Sequence, residues 1–124
     1  MSERFHFLMI VDDPAIARYV SDNGVDALFV DLEWKGKEAR QPKAESWKSR
    51  QSMGDVTKIR EAAPRAELLV RLNPLDAETA GEIDEAIARG ADTLMLPMFT
   101  TADEVLRFCD LVAGRAVVVP LFET

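Results

Sequence analysis

Short apolar runs alternate with stretches of helical spacing along the chain. The apolar runs lie at residues 5–11, 27–30, 68–72, 93–98 and 116–124. Continuous runs of this kind are typical of strands buried on both faces. Strands that alternate with helices predict a parallel sheet with right-handed crossovers. The pattern therefore predicts an α/β fold of about four βα units followed by a fifth strand.

Capping residues mark the ends of several predicted helices. Asp13 precedes Pro14, which is the arrangement of an N-cap followed by proline at the first helical position. Asn23 and the glycine after it supply a stop. Thr101 and Glu104 have the spacing of a capping box. These signals support the division into strands and helices.

A polar residue or a proline closes each of the four later apolar runs. Asp31 and Glu33 follow the second run, Arg71 ends the third, Pro97 closes the fourth and Glu123 follows the fifth. Functional groups at the C-terminal ends of parallel strands are the arrangement of a β/α-barrel active site. An open doubly-wound sheet also satisfies the element order, but no glycine-rich nucleotide-binding motif follows the first strand.

The length fits only part of a barrel. A complete (β/α)8 barrel needs about 250 residues, and this chain has 124. We therefore expect a partial (β/α)8 TIM barrel, with residues 1–124 forming the N-terminal half of the domain.

Composition and charge indicate which kinds of binding partner the protein has. The chain is 48% hydrophobic and 30% charged, as in ordinary globular proteins. No apolar run approaches the roughly 20 residues that span a bilayer, and the first residues lack the layout of a signal peptide. The net charge of −7 argues against nucleic-acid binding. With Cys109 as the single cysteine, we expect a cytoplasmic protein that binds neither nucleic acid nor membrane.

Charge is concentrated in one segment. Residues 34–53 carry six basic and two acidic side chains, so this segment is about +4 and the remainder about −11. A basic loop on an acidic protein can attract a small anion, and its length suggests a functional lid. A solvated surface loop is an equally good interpretation.

Asp31, Glu33 and Arg71 carry the clearest chemical signal. Asp31 and Glu33 are two residues apart on a strand, so their side chains share a face. An arginine inside a sheet needs an anionic partner, and its planar fork suits a carboxylate or a phosphate. Arg71 could therefore bind an anionic ligand, pair with Asp31 or Glu33, or do both.

Glu123 has the chemistry of a ligand for a hard cation. Mg²⁺ prefers oxygen ligands and is usually held by one or two carboxylates with water and substrate. An exposed acid at a frayed end is the alternative. Zinc is disfavoured because His6 and Cys109 are the only histidine and cysteine.

Four motifs together resemble the HpcH/HpaI aldolase and citrate lyase β-subunit superfamily. The motifs are Val30-Asp31-Leu32-Glu33, Val70-Arg71-Leu72-Asn73-Pro74, Leu96-Pro97-Met98 and Pro120-Leu121-Phe122-Glu123-Thr124. The resemblance covers nearly the whole chain but only the N-terminal half of the family's barrel.

The resemblance implies a carbon–carbon lyase that depends on Mg²⁺ or Mn²⁺ and acts through an enolate. The expected substrate is a small anion, either a 2-oxo acid or an acyl-CoA ester, and the expected assembly is a homo-oligomer. Arg71 is implied as the catalytic residue that binds the substrate carboxylate, and Glu123 as a metal ligand. Asp31, Glu33 and Pro97 are implied to lie at the substrate.

Two departures from the family pattern qualify this expectation. Trp34 stands where the aldolase branch has a histidine, so that acid/base group is missing. The family's second metal-binding aspartate has no counterpart in these 124 residues. The chain by itself is therefore expected to be inactive, and two alternatives stay open: a non-catalytic anion-binding module and a self-assembling half-barrel.

Overall fold

The computed structural model describes residues 5–34 and 51–123. The strands are β1 (Leu8–Ile10), β2 (Ala27–Asp31), β3 (Glu67–Arg71), β4 (Thr93–Leu96) and β5 (Val117–Pro120). The helices of the described part are α1 (Pro14–Asp22), α2 (Met53–Ala62), α3 (Thr79–Ala88) and α4 (Ala102–Val112). The basic segment predicted from the sequence lies, apart from its flanks, outside the described residues.

The five strands form one parallel sheet in the order β1-β2-β3-β4-β5. Each strand pairs with the next along the chain, and the order does not reverse. A doubly-wound sheet requires a reversal of strand order, so the topology is that of a barrel segment. The predicted partial barrel with a parallel sheet is confirmed.

The two faces of the sheet differ in what covers them. Alternate residues of the strands, such as Leu28, Val30 and Leu94, pack with buried residues of all four helices. The residues between them, Phe29, Leu69 and Met95, form a separate cluster on the opposite face. Helices on a single face leave the other face as the concave side of the barrel segment.

The predicted N-terminal caps form as local hydrogen bonds. The Asp13 side chain accepts from the backbone amides of Ala15 and Ile16 at the start of α1. At α4, Thr101 accepts from the Glu104 amide, whereas the Glu104 carboxylate accepts from Thr100 and not from the Thr101 amide. Thr101 is thus the N-cap, but only half of the predicted capping box is present.

The first and last strands are edges, which corrects the expectation that they are buried on both faces. All three residues of β1 are exposed, with Ile10 at 53%, and Val117 of β5 is 61% exposed. Apolar composition is similar in central and edge strands, so composition did not reveal which strands would have two neighbours. The sheet therefore has two open apolar edges.

Arg60 joins the opposite, N-terminal ends of the central strands. Its guanidinium donates to the carbonyl of Gly90 at 3.1 and 2.9 Å, to the carbonyl of Ala66 at 2.8 Å and to the Asp92 carboxylate. Asp92 also accepts from the Leu68 amide at 3.0 Å. This cluster, far along the strands from Asp31 and Arg71, fixes the turns that enter β3 and β4.

Of the helices in the described residues, none has both the length and the apolar character needed to cross a membrane.

Candidate active site at the carboxyl ends of the strands

Arg71 and Asp31 form a bidentate ion pair at the ends of β3 and β2. The two residues are direct neighbours in the parallel register. Arg71 Nε donates to Asp31 Oδ1 at 3.0 Å and Nη2 donates to Oδ2 at 2.6 Å. The side chains are 16% and 3% exposed. The pair that the sequence offered as one interpretation of Arg71 is therefore present and largely buried.

The surroundings of Arg71 keep it charged. The hydrogen bond to Asp31 raises the pKa of Arg71 above its ordinary value, against the opposing effect of burial, and the nearby charges of Asp31, Glu33 and Glu123 raise it further. The Phe29 ring lies 5.7 Å from the guanidinium carbon, within the range of a cation–π contact. The arginine remains a cation throughout the physiological pH range.

One edge of the guanidinium is available for a further anion. Asp31 occupies Nε and one N–H of Nη2, and Nη1 makes no hydrogen bond within the described part of the chain. An arginine has five N–H donors in a fixed fork. The edge formed by Nη1 and Nη2 therefore has the geometry to hold a planar carboxylate while Asp31 holds the other edge.

Glu33 and Asp31 are tied together at the end of β2. The backbone amide of Glu33 donates to Asp31 Oδ1 at 3.1 Å. Glu33 is fully buried and its charge is among those that raise the pKa of Arg71. Both predicted carboxylates thus lie within the electrostatic reach of the arginine.

Glu123 reaches the same region from beyond β5. Its Oε2 accepts from the Met98 backbone amide at 3.0 Å, just after the buried Pro97 at the end of β4. The charge of Glu123 contributes to the raised pKa of Arg71. Arg71 and Glu123, separated widely in sequence, therefore belong to one electrostatic cluster at the carboxyl ends of the strands.

Two residues that support the site were missed at the sequence level. Gln51 donates to the Val11 carbonyl at 2.6 Å and accepts from the Asp31 amide at 2.8 Å, so it bridges β2 to the residue after β1. The other is Met98, whose backbone amide holds Glu123. The sequence signal for Met98 is the proline before it, which has no N–H; no comparable signal marks Gln51.

Asn73 and Trp34 have structural contacts. Asn73 Oδ1 accepts from the Trp34 amide at 2.9 Å, and its amide nitrogen donates to Glu82 of α3 at 3.1 Å. Trp34 and Asn73 line a cavity of about 290 Å³ whose other lining residues include Leu32 and Met53. None of Asp31, Arg71 and Glu123 lines this cavity, so it is separate from the charged cluster.

A family model for the HpcH/HpaI aldolase/citrate lyase matches residues 4–116. The chain belongs to the HpcH/HpaI aldolase/citrate lyase family. The resemblance inferred from the strand-end motifs is thereby confirmed. A search of curated protein sequences finds no match to the chain.

Solved structures with the same fold include enzymes of different kinds. The aldolase QR15 is 17% identical with a TM-score of 0.63, and the alignment covers 95% of this chain and 58% of that protein. A citrate synthase variant, SbnG, is 13% identical with a TM-score of 0.59, with 92% and 43% covered. A phosphoribosylanthranilate isomerase from Thermotoga maritima is 17% identical with a TM-score of 0.64, with 94% and 50% covered.

These likenesses concern the fold. At such identities the structures share an architecture with the chain and carry no information on its substrate. The chain spans about half of the length of these three proteins.

The donor set fits a divalent cation only in part. Among the described residues no group of three or more His, Cys, Asp or Glu side chains could hold a metal. Glu123 is exposed at the rim and supplies a hard carboxylate oxygen. A Mg²⁺ ion needs as few as one or two carboxylates when water and substrate complete its shell, so Glu123 fits as one ligand of such a site.

Proposed function

We propose that this family member acts as a divalent-metal-dependent carbon–carbon lyase or aldolase on a small anionic substrate, either a 2-oxo acid or an acyl-CoA ester, through an enolate. The proposal rests on the surroundings of Arg71. Asp31 binds one edge of its guanidinium, and the charge of the Glu123 carboxylate acts on it as well. A cation and a metal-binding acid in one cluster suit a substrate that develops negative charge.

Arg71 is proposed to bind the substrate and to be the catalytic residue. Its free edge accepts a carboxylate of a 2-oxo acid or the carbonyl oxygen of an acyl thioester. Because Asp31 and Phe29 already fix the guanidinium, little ordering is needed when substrate binds. A fixed cation beside the developing enolate oxygen stabilises charge without reorganisation.

Glu123 is proposed to be a metal ligand. The bound Mg²⁺ or Mn²⁺ would supply Lewis-acid stabilisation of the developing oxyanion. Glu123 follows β5, the strand next to β4, and the Met98 amide restrains its carboxylate. The chain contributes this one acid, and the rest of the shell falls to water, substrate and a further carboxylate.

Asp31, Glu33 and Pro97 are proposed to shape the substrate site. Asp31 and Glu33 are buried, so Asp31 sets the orientation of the arginine and both carboxylates favour its charge more than they contact a large ligand. Pro97 ends β4 and directs the chain away from the sheet. Trp34 supplies no acid/base group, so we assign proton transfer to none of these residues.

We also propose that residues 1–124 form the N-terminal half of a complete barrel domain. The sheet has the strand order of a barrel and two open edges. A further set of βα units joined to β1 and β5 would close it.

The test is turnover by the full-length protein. We expect Mg²⁺- or Mn²⁺-dependent decarboxylation of oxaloacetate, release of pyruvate from a retro-aldol substrate, or cleavage of an acyl-CoA ester. Arg71→Ala should lower kcat/KM by roughly 10³-fold, the scale of removing a principal oxyanion donor. Arg107→Ala, an exposed arginine on α4, is the matched control and should be neutral.

Two outcomes would contradict the proposal. One is full activity after addition of a chelator. The other is an Arg71→Ala variant that keeps wild-type kcat/KM towards every substrate that the wild type cleaves.

Self-assembly is a second candidate, favoured by the two exposed apolar edges. Unpaired strand edges are templates for pairing with another chain, and Phe5, Ile10 and Val117 are all exposed there. As the alternative to closure by further βα units, we propose that residues 1–124 form a half-barrel that pairs with another copy of itself through these edges. Light scattering that gives a monomer at all concentrations would contradict it.

A further inference from the structure

Met98 has a backbone conformation that side chains rarely adopt. Its φ is +55°, in the left-handed region, and Ala113 at +53° is the other non-glycine residue with positive φ in the described part of the chain. Ala113 is the C-cap of α4 and donates to the Cys109 carbonyl, so its conformation belongs to helix termination. Met98 follows a strand and has no such explanation.

Pro97 and the left-handed turn after it explain where the Met98 amide points. The ladder between β4 and β5 has its last backbone bond from the Leu121 amide to the Leu96 carbonyl at 2.9 Å. Pro97 has no N–H, so Met98 carries the first backbone donor after β4. The left-handed turn directs this donor to Glu123 Oε2 at 3.0 Å, away from the ladder.

A second contact ties the same two segments together. The rings of Phe99 and Phe122, the neighbours of Met98 and Glu123, meet edge to face with centroids 5.1 Å apart and planes at 78°. Backbone bond and ring contact together restrain the Glu123 side chain on a rim where it is otherwise exposed. The amide bond therefore sets the direction in which the carboxylate points.

We infer that Met98 is a positioning residue that acts through its backbone: its left-handed conformation aims an amide at Glu123 and so orients that carboxylate towards a divalent cation. The inference rests on the proposed function, because it assigns Met98 a role at the proposed metal ligand. The side chain of Met98 has no part in it. A strained backbone outlier beside a functional carboxylate is the kind of feature that persists when the surrounding structure holds it.

The test compares Met98→Val, Met98→Leu and Met98→Gly in the full-length protein. Valine is β-branched and disfavours the left-handed region, leucine matches methionine in its backbone preference, and glycine adopts the conformation freely. We expect Met98→Val to weaken Mn²⁺ binding, measured by calorimetry, by about tenfold, the scale of one lost hydrogen bond to a charged group. The leucine and glycine variants should bind within about threefold of wild type, well inside that scale.

A second readout is independent of the metal. Glu123→Ala should speed amide hydrogen exchange at Met98 by about tenfold, since the acceptor is removed. Asp103→Ala, an exposed acid on α4, is the control and should leave exchange at Met98 unchanged. The exchange measurement shows whether the Met98–Glu123 hydrogen bond exists even if the valine variant folds poorly.

Distinct results separate the failure of each idea. Unchanged exchange at Met98 in Glu123→Ala overturns the inference about Met98, as does wild-type Mn²⁺ affinity in Met98→Val or an equal loss in Met98→Leu. If the wild type binds no Mn²⁺, the proposed function fails and the metal-positioning role fails with it. In that case exchange still shows whether the contact exists.

Discussion

Burial distinguishes the Arg71–Asp31 pair from the ion pair between Arg115 and Asp84. The side chains of the first pair are 16% and 3% exposed, whereas those of the second are 44% and 65% exposed. Removing one partner of a buried pair leaves an uncompensated charge, which is far more costly than the loss of a surface pair. Burial therefore makes the Arg71–Asp31 pair important for stability, and it also keeps the guanidinium in place for its proposed catalytic role.

Asp31→Asn should destabilise the fold by about 3 kcal/mol, because it removes the charged partner that is hydrogen-bonded to the largely buried Arg71. Asp84→Asn, the matched surface change, should cost about 0.5 kcal/mol or less. Urea denaturation measures both free energies of unfolding. Equal effects of the two substitutions would contradict the assignment of a buried, bidentate pair.

Sequence reasoning was strongest for side chains and weakest for backbone atoms. The pairing of Asp31 with Arg71, and the effect of the Glu33 and Glu123 charges on Arg71, agree with the rule that the C-terminal ends of parallel strands share one rim. The roles of Gln51 and of the Met98 amide depend on hydrogen bonds to main-chain atoms or from them. Such bonds depend on tertiary positions that residue type does not encode.

At the scale of elements, the turn between α3 and β4 depends on Gly90. Its φ is +117°, and a Cβ there would lie 2.7 Å from Cγ of Arg60. Arg60 in turn binds the carbonyl of Gly90 and the carboxylate of Asp92. A side chain at this position would strain the backbone and displace the arginine that fixes two strand entrances.

Gly90→Ala should therefore destabilise the fold by roughly 3 kcal/mol, from a left-handed penalty and a steric clash together. Gly24→Ala isolates the first of these terms, because its φ is +104° and no atom lies within 4 Å of the added Cβ. We expect it to cost about 1 kcal/mol. Thermal denaturation compares the two, and a Gly24→Ala variant as unstable as Gly90→Ala would contradict the role of Arg60.

Element identity was predicted better than element burial. Apolar runs located the five strands of the described residues to within a few residues, and the caps at Asp13 and Thr101 located the starts of α1 and α4. They did not reveal that β1 and β5 are edges, because burial depends on neighbouring strands and not on the run itself. Helical spacing likewise did not reveal burial on α1, where the apolar residues Ile16 and Tyr19 are exposed.

At the scale of the whole molecule, the two edge strands expose apolar side chains, including Ile10 of β1 and Val117 of β5. Exposed apolar side chains include Phe5 and Phe7, just before β1 in the chain, and Phe122, just after β5. Such contiguous apolar surfaces mark interfaces or aggregation-prone sites. The net charge of −7 opposes unspecific association.

Residues 1–124, expressed alone, should therefore associate in a concentration-dependent manner. Ile10→Lys, on the exposed edge strand, should shift the distribution towards monomer, because lysine on an edge opposes strand pairing. Asp110→Lys, at an exposed position near the end of α4, is a charge control away from β1. Multi-angle light scattering measures the effect, and an unchanged mass distribution in Ile10→Lys would contradict pairing through this edge.

The central claim is that Arg71 and Glu123 converge on one small anion and its divalent cation. A crystal structure of the full-length protein with Mn²⁺ and oxalate, a planar mimic of an enolate, tests it most directly. We predict an anomalous manganese peak at bonding distance, about 2 Å, from the Glu123 carboxylate, with oxalate on the Nη1 edge of Arg71. Manganese bound elsewhere, or oxalate that contacts neither residue, would contradict the account.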